Sequence, residues 1–417
     1  MAERARAAAL AAAVVVVAVL GAFAARLTDL STAQKIGIDS RFAPNRSGTL
    51  LPDGTFCCPF AGATISDASG ELFASSEVEV LVSGLRWSEG PVWHAAERAL
   101  FFVDTIQDRI YRWSASDGTT IVVSAAGGFD GSNVPEYETL YEPGANGMAL
   151  MSENEIIICQ HSTRRVIRMK LAELQRLGGR PLSESNFEVL AQTAANGRGL
   201  NAPNDVVVAP NGDVYFTDPV YGFLKKQPPE LGYMHLNADK DELTDQPYLD
   251  EAVTAVGAGV TGVYRLRAGG GALELVTDLL NRPNGLAFSP DGQTLWVSSS
   301  DKDGPSWNAF LLREQLPLER TAVLGKAELP GINLMPGTRL GSAGLIDGFK
   351  IDERGRLWSS VPGGLAVIDP ARKAVLASVT FGGTAISNVR FGEGGDVFVT
   401  GAGHVWRLRR TVPSSAS

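Results

Sequence analysis

Cysteine and histidine are scarce, with three and four in 417 residues. Three cysteines cannot build a disulfide framework, and no CxxC or Cys/His spacing of a zinc site occurs. Cys57 and Cys58 are adjacent, and Cys159 lies in an apolar run, as a buried strand residue would. No stripe of Lys and Arg runs along the chain, and the net charge is −9. Nucleic acid is therefore not an expected partner. P-loop and dinucleotide fingerprints are absent. The glycine-rich stretches 257–262 and 268–273 precede β patterns, so both read as turns. A GxSxG elbow is missing too, which argues against a serine hydrolase. Long amphipathic helices are lacking, apart from a short candidate near 169–177.

What is present is an ordinary apolar fraction, 44%, which excludes disorder for the bulk of the chain. Glycine is abundant, 46 residues without a collagen period, and implies many tight turns and short strands. The N-terminus stands apart. Arg4 and Arg6 precede an uncharged, Ala/Val-rich run of 19 residues, 7–25. This pattern fits a cleavable signal peptide or a signal anchor, with residues 22–24 as a candidate cleavage site. Either reading places the body of the chain outside the cytoplasm, secreted or lumenal, with membrane contact only through this segment. The sequon at Asn45 fits a secretory route. The expected organisation is segment 1–31, an irregular lead-in 32–75, a body 76–410 and a tail 411–417.

The body repeats six times. A polar residue leads an apolar run, then come a turn and a strand of β-branched and aromatic residues. The copies read SEGPVW/ALFFVD, ANGMAL/EIIICQ, PNDVVV/DVYFTD, PNGLAF/TLWVSS, IDGFKI/RLWSSV and SNVRF/DVFVTG. APNGD, SPDGQ, DERG and GEGGD make hairpin turns between paired runs. Repeats of this length with three or four strands are propeller blades, so the expected fold is an all-β, six-bladed β-propeller. The strand 78–82 is expected to complete the last blade and close the ring.

The lead residues are Glu89, Asn146, Asn204, Asn284, Asp347 and Asn388. Equivalent positions of blades face one axis, so the six should meet at one mouth of the channel. Carboxylate and amide oxygens are hard ligands, and they suit Ca²⁺ better than Zn²⁺ or copper. Asn-Gly and Asp-Gly are also common turn formers, which is the plainer reading of Asn146 or Asn388 taken alone.

SEGPVW with ALFFVD and RIYRW resembles the first blade of the senescence-marker-protein/gluconolactonase family, which includes regucalcin. LNAPNDVVV, GDVYFTDPVYG, RPNGLAFSPDGQTLWVS and DGFKIDERGRLW resemble its later blades, and the likeness spans roughly 78–409. The resemblance implies a lactonase with one catalytic divalent cation, held by Glu89, Asn204, Asn284 and Asp347. It implies that Asp347 also takes part in the chemistry. Such a cation would polarise a lactone carbonyl, and Asp347 could activate water. Asn146 and His161 are candidate substrate contacts, and Asp218 in FTDP is a candidate structural hydrogen-bonding residue. Small lactones or esters are the expected substrates. Organophosphate or aryl-ester hydrolysis on the same site, and a non-catalytic binding propeller of the strictosidine-synthase-like kind, are the alternatives. Insertions at 225–257 and 301–345 depart from the family pattern and bear on the substrate.

Overall fold

Each sequence copy folds into antiparallel strands linked by the hairpins its glycines permit. Gly212 and Gly292, in APNGD and SPDGQ, have φ of +87° and +67°, a region that favours glycine. The computed structural model describes residues 49–50, 56–57, 60, 62–75, 77–225, 252–301, 304–330, 332 and 344–411. The N-terminal segment 1–31, the sequon at Asn45, most of the insertion 225–257, residues 302–303, 331 and 333–343 of the insertion 301–345, and residues 412–417 lie outside the described residues. Among the described residues no helix is long and apolar enough to cross a membrane.

Three sheets have four strands each, and each is one copy. The second copy runs Ala145–Ser152, Glu155–Gln160, Arg165–Lys170 and Glu188–Ala191. The third runs Val206–Val208, Val214–Asp218, Gly262–Leu266 and Glu274–Thr277. The fourth runs Pro283–Phe288, Thr294–Ser299, Ser306–Leu311 and Glu319–Leu324. The fifth copy, beginning at Phe349–Ile351, gains a fifth strand from the lead-in, because Thr64–Asp67 pairs with Ala374–Thr380. Part of the lead-in therefore belongs to the body. The helix expected near 169–177 is Leu171–Arg176.

Among the described residues the sheets of this propeller number five, not the six separate blades expected. The first and last copies share one six-stranded sheet. Asp396–Arg409 folds back on itself, with Arg410 N donating to Gly395 O at 2.7 Å. One part of it pairs with Ile386–Phe391, and the other pairs with Glu79–His94 through Val405↔Val82 and Trp406↔Val80. The strand Glu79–His94 continues without a break from Trp87↔Ala402 to Ser88↔Asp104, so the ladder never separates the two copies. Strand 79–83 thus closes the ring as expected.

The core lies between neighbouring copies. Val92, Phe101 and Ile110 pack on Ile156, Ile158 and Ile167, and Ile157 and Val166 pack on Val206 and Phe216. Even inside the six-stranded sheet, Leu100, Phe102 and Trp113 of one half pack on Phe398 and Val405 of the other. Burying each such side chain contributes about 1.5–3 kcal/mol. Cys159 is fully buried and unpaired in this core.

Candidate active site

The strand that begins each copy lies innermost, and each packs on the next around the axis. All six lead residues are buried. Backbone and hydroxyl contacts link them in sequence order. Gly147 N donates to Asn204 O at 2.6 Å, Thr217 Oγ1 donates to Asn284 O at 2.7 Å, and Ser298 Oγ donates to Asp347 O at 2.7 Å. Gly348 N donates to Ser387 O at 2.7 Å, and Ser387 Oγ donates to Ser88 O at 2.6 Å. The circuit returns to Glu89, whose Oε2 accepts from Asn388 Nδ2 at 3.1 Å.

The glycine after a lead residue is explained by this crowding. A Cβ on Gly90 would sit 2.2 Å from Asn146 O, and one on Gly147 would sit 2.4 Å from Asn204 O. Gly147 does not have the left-handed φ of a turn glycine. Asn-Gly here marks the close approach of two inner strands, and the turn reading of Asn146 does not hold.

Two buried carboxylates hold the segments that carry lead residues. Asp104 accepts from Arg86 N at 2.7 Å and Trp87 N at 3.3 Å, just before Glu89. Asp218 accepts from Asn201 N at 2.9 Å and Ala202 N at 2.8 Å, just before Asn204. Asp218 is therefore structural. Its burial raises its pKa to about 7, against the Asn201 and Ala202 backbone N–H groups and the Arg164 charge, which lower it. A carboxyl raised in the folded state favours folding below its unfolded pKa of about 3.9, and that advantage is lost as pH rises through about 7. Asn at 218 keeps an acceptor oxygen and does not titrate. In chelator, the melting temperature of Asp218→Asn should gain on wild type between pH 5 and pH 8. A constant difference across that range would contradict this.

The mouth is electrostatically unfavourable to its own carboxylates. Burial raises Glu89 to about 7, helped by the charge of Asp205 and opposed by Gly90 N–H, Asn388 and Lys350. Burial also raises Asp347 well above the usual range, and Glu89, Glu142 and Asp205 add to it, while the Asn284 amide opposes. Lys350 Nζ lies 3.3 Å from Asn388 Oδ1 and 3.6 Å from Asp205 Oδ2. Asn284 Nδ2 donates to Ser300 Oγ at 3.0 Å. Asn146 and Asn204 have buried side chains that make no hydrogen bond within the described structure.

Among the described residues no three His, Cys, Asp or Glu side chains cluster so as to hold a metal ion. Two of the four expected donors, Asn204 and Asn284, are amides, so this donor set would not form such a cluster. Glu89 and Asp347 nonetheless feel each other's charge in a buried site.

His161 is fully buried, and among the described residues neither ring nitrogen makes a hydrogen bond of good geometry. Its Nδ1 lies 3.7 Å from Glu142 Oε2, and burial pushes its pKa down although Glu142 opposes. Glu142, Tyr221 and Lys350 are at or near the site and are not marked by the repeat, because no other copy carries their kind at the same place.

A family model described as the SMP-30/Gluconolactonase/LRE-like region matches residues 87–403. The gluconolactonase of Zymomonas mobilis subsp. mobilis is 30% identical over 340 residues, which is 81% of this chain and 82% of that protein. The solved gluconolactonase of Xanthomonas campestris is 27% identical, with a TM-score of 0.59 over 85% of this chain and 97% of that one. A luciferin-regenerating enzyme structure, 17% identical with a TM-score of 0.54 over 80% of this chain and 95% of that one, shares the fold.

Proposed function

Because the chain belongs to the SMP-30/gluconolactonase/LRE-like family, a family of gluconolactonase-like lactone hydrolases, we propose that it is a divalent-cation-dependent hydrolase of lactones, sugar lactones among them. One observation carries the reading. Two buried carboxylates, Glu89 and Asp347, are close enough to feel each other's charge, and the Asn284 amide acts on Asp347 as well. Isolated buried carboxylates are costly unless a partner compensates them. The residues fit a cation on that ground: two carboxylates with their pKa raised, and a buried Asn204 amide with no hydrogen bond among the described residues. Glu89, Asn204, Asn284 and Asp347 would hold the ion, and the all-oxygen donor set favours Ca²⁺. When bound, Ca²⁺ supplies a Lewis acid for the carbonyl oxygen.

The chain's own residues do the rest. Asp347 takes a proton from the attacking water. Ser298 and Ser360 fix its backbone at both ends, through Asp347 O at 2.7 Å and Asp347 N at 2.9 Å. Asn388 holds the Glu89 carboxylate from one side, and Gly90 N–H holds it at 2.8 Å. Asn146 and His161 contact the substrate, with Glu142 beside the His161 ring. The N-terminal pattern of Arg4, Arg6 and the run 7–25 supports export across a membrane.

The test is a hydrolysis screen of sugar lactones, aliphatic lactones and aryl esters, with and without chelator. Lactone opening is expected, falling at least about 10²-fold in chelator and returning with Ca²⁺. Undiminished activity in chelator would remove the cation from the mechanism. Inactivity on every lactone would sink the reading.

A further inference from the structure

Tyr221 begins the short 3-10 turn Tyr221–Phe223, directly after the strand Val214–Asp218. That strand is antiparallel to the inner one, and Asn204 N donates to Thr217 O at 2.8 Å. The turn therefore emerges at the end of the ring where the lead residues begin. It is held firmly. Leu224 N donates to Tyr221 O at 3.0 Å, and Tyr141, Val220, Leu224 and Val253 pack around the ring. Gly222 fits between Ala202 and His161, where a Cβ would lie 2.8 Å and 3.2 Å from their Cβ atoms.

Among the described residues the buried Tyr221 hydroxyl makes no hydrogen bond of good geometry. A polar atom left so is costly, and a native structure seldom carries one without a use. The Ser300 hydroxyl lies close enough to lower its pKa, against the burial that raises it. Ser300 Oγ accepts from Asn284 and donates to Ile346 O, the carbonyl next to Asp347. The hydroxyl thus abuts the wall that carries Asn284 and Asp347. Burial and the charges of Asp347 and Glu142 keep it a neutral phenol, able to donate.

We propose that Tyr221 is a catalytic residue of the lactone-opening reaction, the acid that protonates the ring oxygen as it leaves. This rests on the hydrolase reading above. Water oxygen bonds to the carbonyl carbon, and its proton passes to the Asp347 carboxylate. As the adduct collapses, the acyl carbon–ring oxygen bond breaks, and its electron pair stays on the ring oxygen. The phenol proton goes to that oxygen. The phenolate then regains a proton from the Asp347 carboxyl group through water, which restores both residues. A lactone leaves as an alkoxide of high basicity and needs this proton, whereas a thiolactone leaves as a thiolate and does not.

The test is Tyr221→Phe assayed on the best lactone from the screen and on the thiolactone of the same ring. The kcat for the lactone should fall about 10²–10³-fold with KM changed less than about 3-fold, and thiolactone hydrolysis should change less than about 3-fold. The melting temperature should stay level or rise, since an unpaired buried hydroxyl is removed. Equal losses on both substrates, or none on the lactone, would overturn the proposal and leave the hydrolase reading standing. A wild-type protein inactive on both would overturn the hydrolase reading itself.

Discussion

Asp347→Asn should lower kcat/KM on the lactone at least about 10³-fold, while the metal-free variant melts at or above the temperature of wild type. General-base catalysis alone is worth about 10²–10⁴-fold, and an amide cannot accept the proton of the attacking water. The same change takes one of the two carboxylates from the proposed cation site. The stability half of the expectation has a separate cause. Asp347 is buried among Glu89, Glu142 and Asp205, all of which raise its pKa, so the ionised group opposes folding when no cation is bound. Asparagine keeps the shape and removes the charge. Its backbone contacts to Ser298 and Ser360 do not involve the side chain and should persist.

Calcium separates the two halves. A ligand that binds only the folded state at about 100 times its Kd stabilises by about 2.7 kcal/mol. Wild type should therefore melt higher in Ca²⁺ than in chelator, and Asp347→Asn should lose most of that rise. Activity loss joined to unchanged metal-free stability marks a group placed for chemistry and not for packing. Retained activity would remove Asp347 from the mechanism. A large drop in metal-free melting temperature would make its role structural.

Much of this site is legible in the chain because it repeats. Glu89, Asn204, Asn284 and Asp347 each open an apolar run, and the repeat alone puts them on equivalent strands. Asp218 is readable for the same reason, since it ends the strand that pairs with the one after Asn204. The number of sheets is not readable in this way. Whether two copies share a sheet depends on the ladder staying unbroken across Trp87 and Ser88, and both residues suit a continuous or an interrupted strand equally. Asn-Gly misleads for a related reason. The dipeptide suits a hairpin, but at Asn146–Gly147 the missing side chain makes room for the neighbouring strand, a contact 57 residues away in sequence between Gly147 and Asn204. Tyr221 and Glu142 lie beyond the pattern altogether. They sit on connections, which differ from copy to copy, so periodicity cannot mark them. His161 is marked only by its place after a strand, and that place does not reveal that its ring is fully buried beside Glu142.

Gly147→Ala follows from that close approach and should cost about 3 kcal/mol or more. The added methyl would lie 2.4 Å from Asn204 O, 2.6 Å from Asp205 Cα and 2.9 Å from Asp205 Oδ1. The first two are backbone atoms, so no side chain can rotate away. Overpacking by one carbon in a well-filled core costs about 1–3 kcal/mol when neighbours can shift. Here the neighbour is the inner strand of the next copy, tied to this one by the 2.6 Å hydrogen bond from Gly147 N to Asn204 O. Whatever moves must carry Asn204 with it. A displacement of about 1 Å at a positioned group can lower the rate about 10²-fold, so activity should fall in the fraction that remains folded. Gly118→Ala is the control. Its φ is +70°, but a Cβ there meets nothing within 4 Å. It should lose about 1 kcal/mol from backbone strain and keep its kcat. Chemical denaturation and lactone kinetics on both variants would decide the matter. Equal stability losses, or a Gly147→Ala protein with wild-type kcat, would show that the inner strands do not set the position of Asn204.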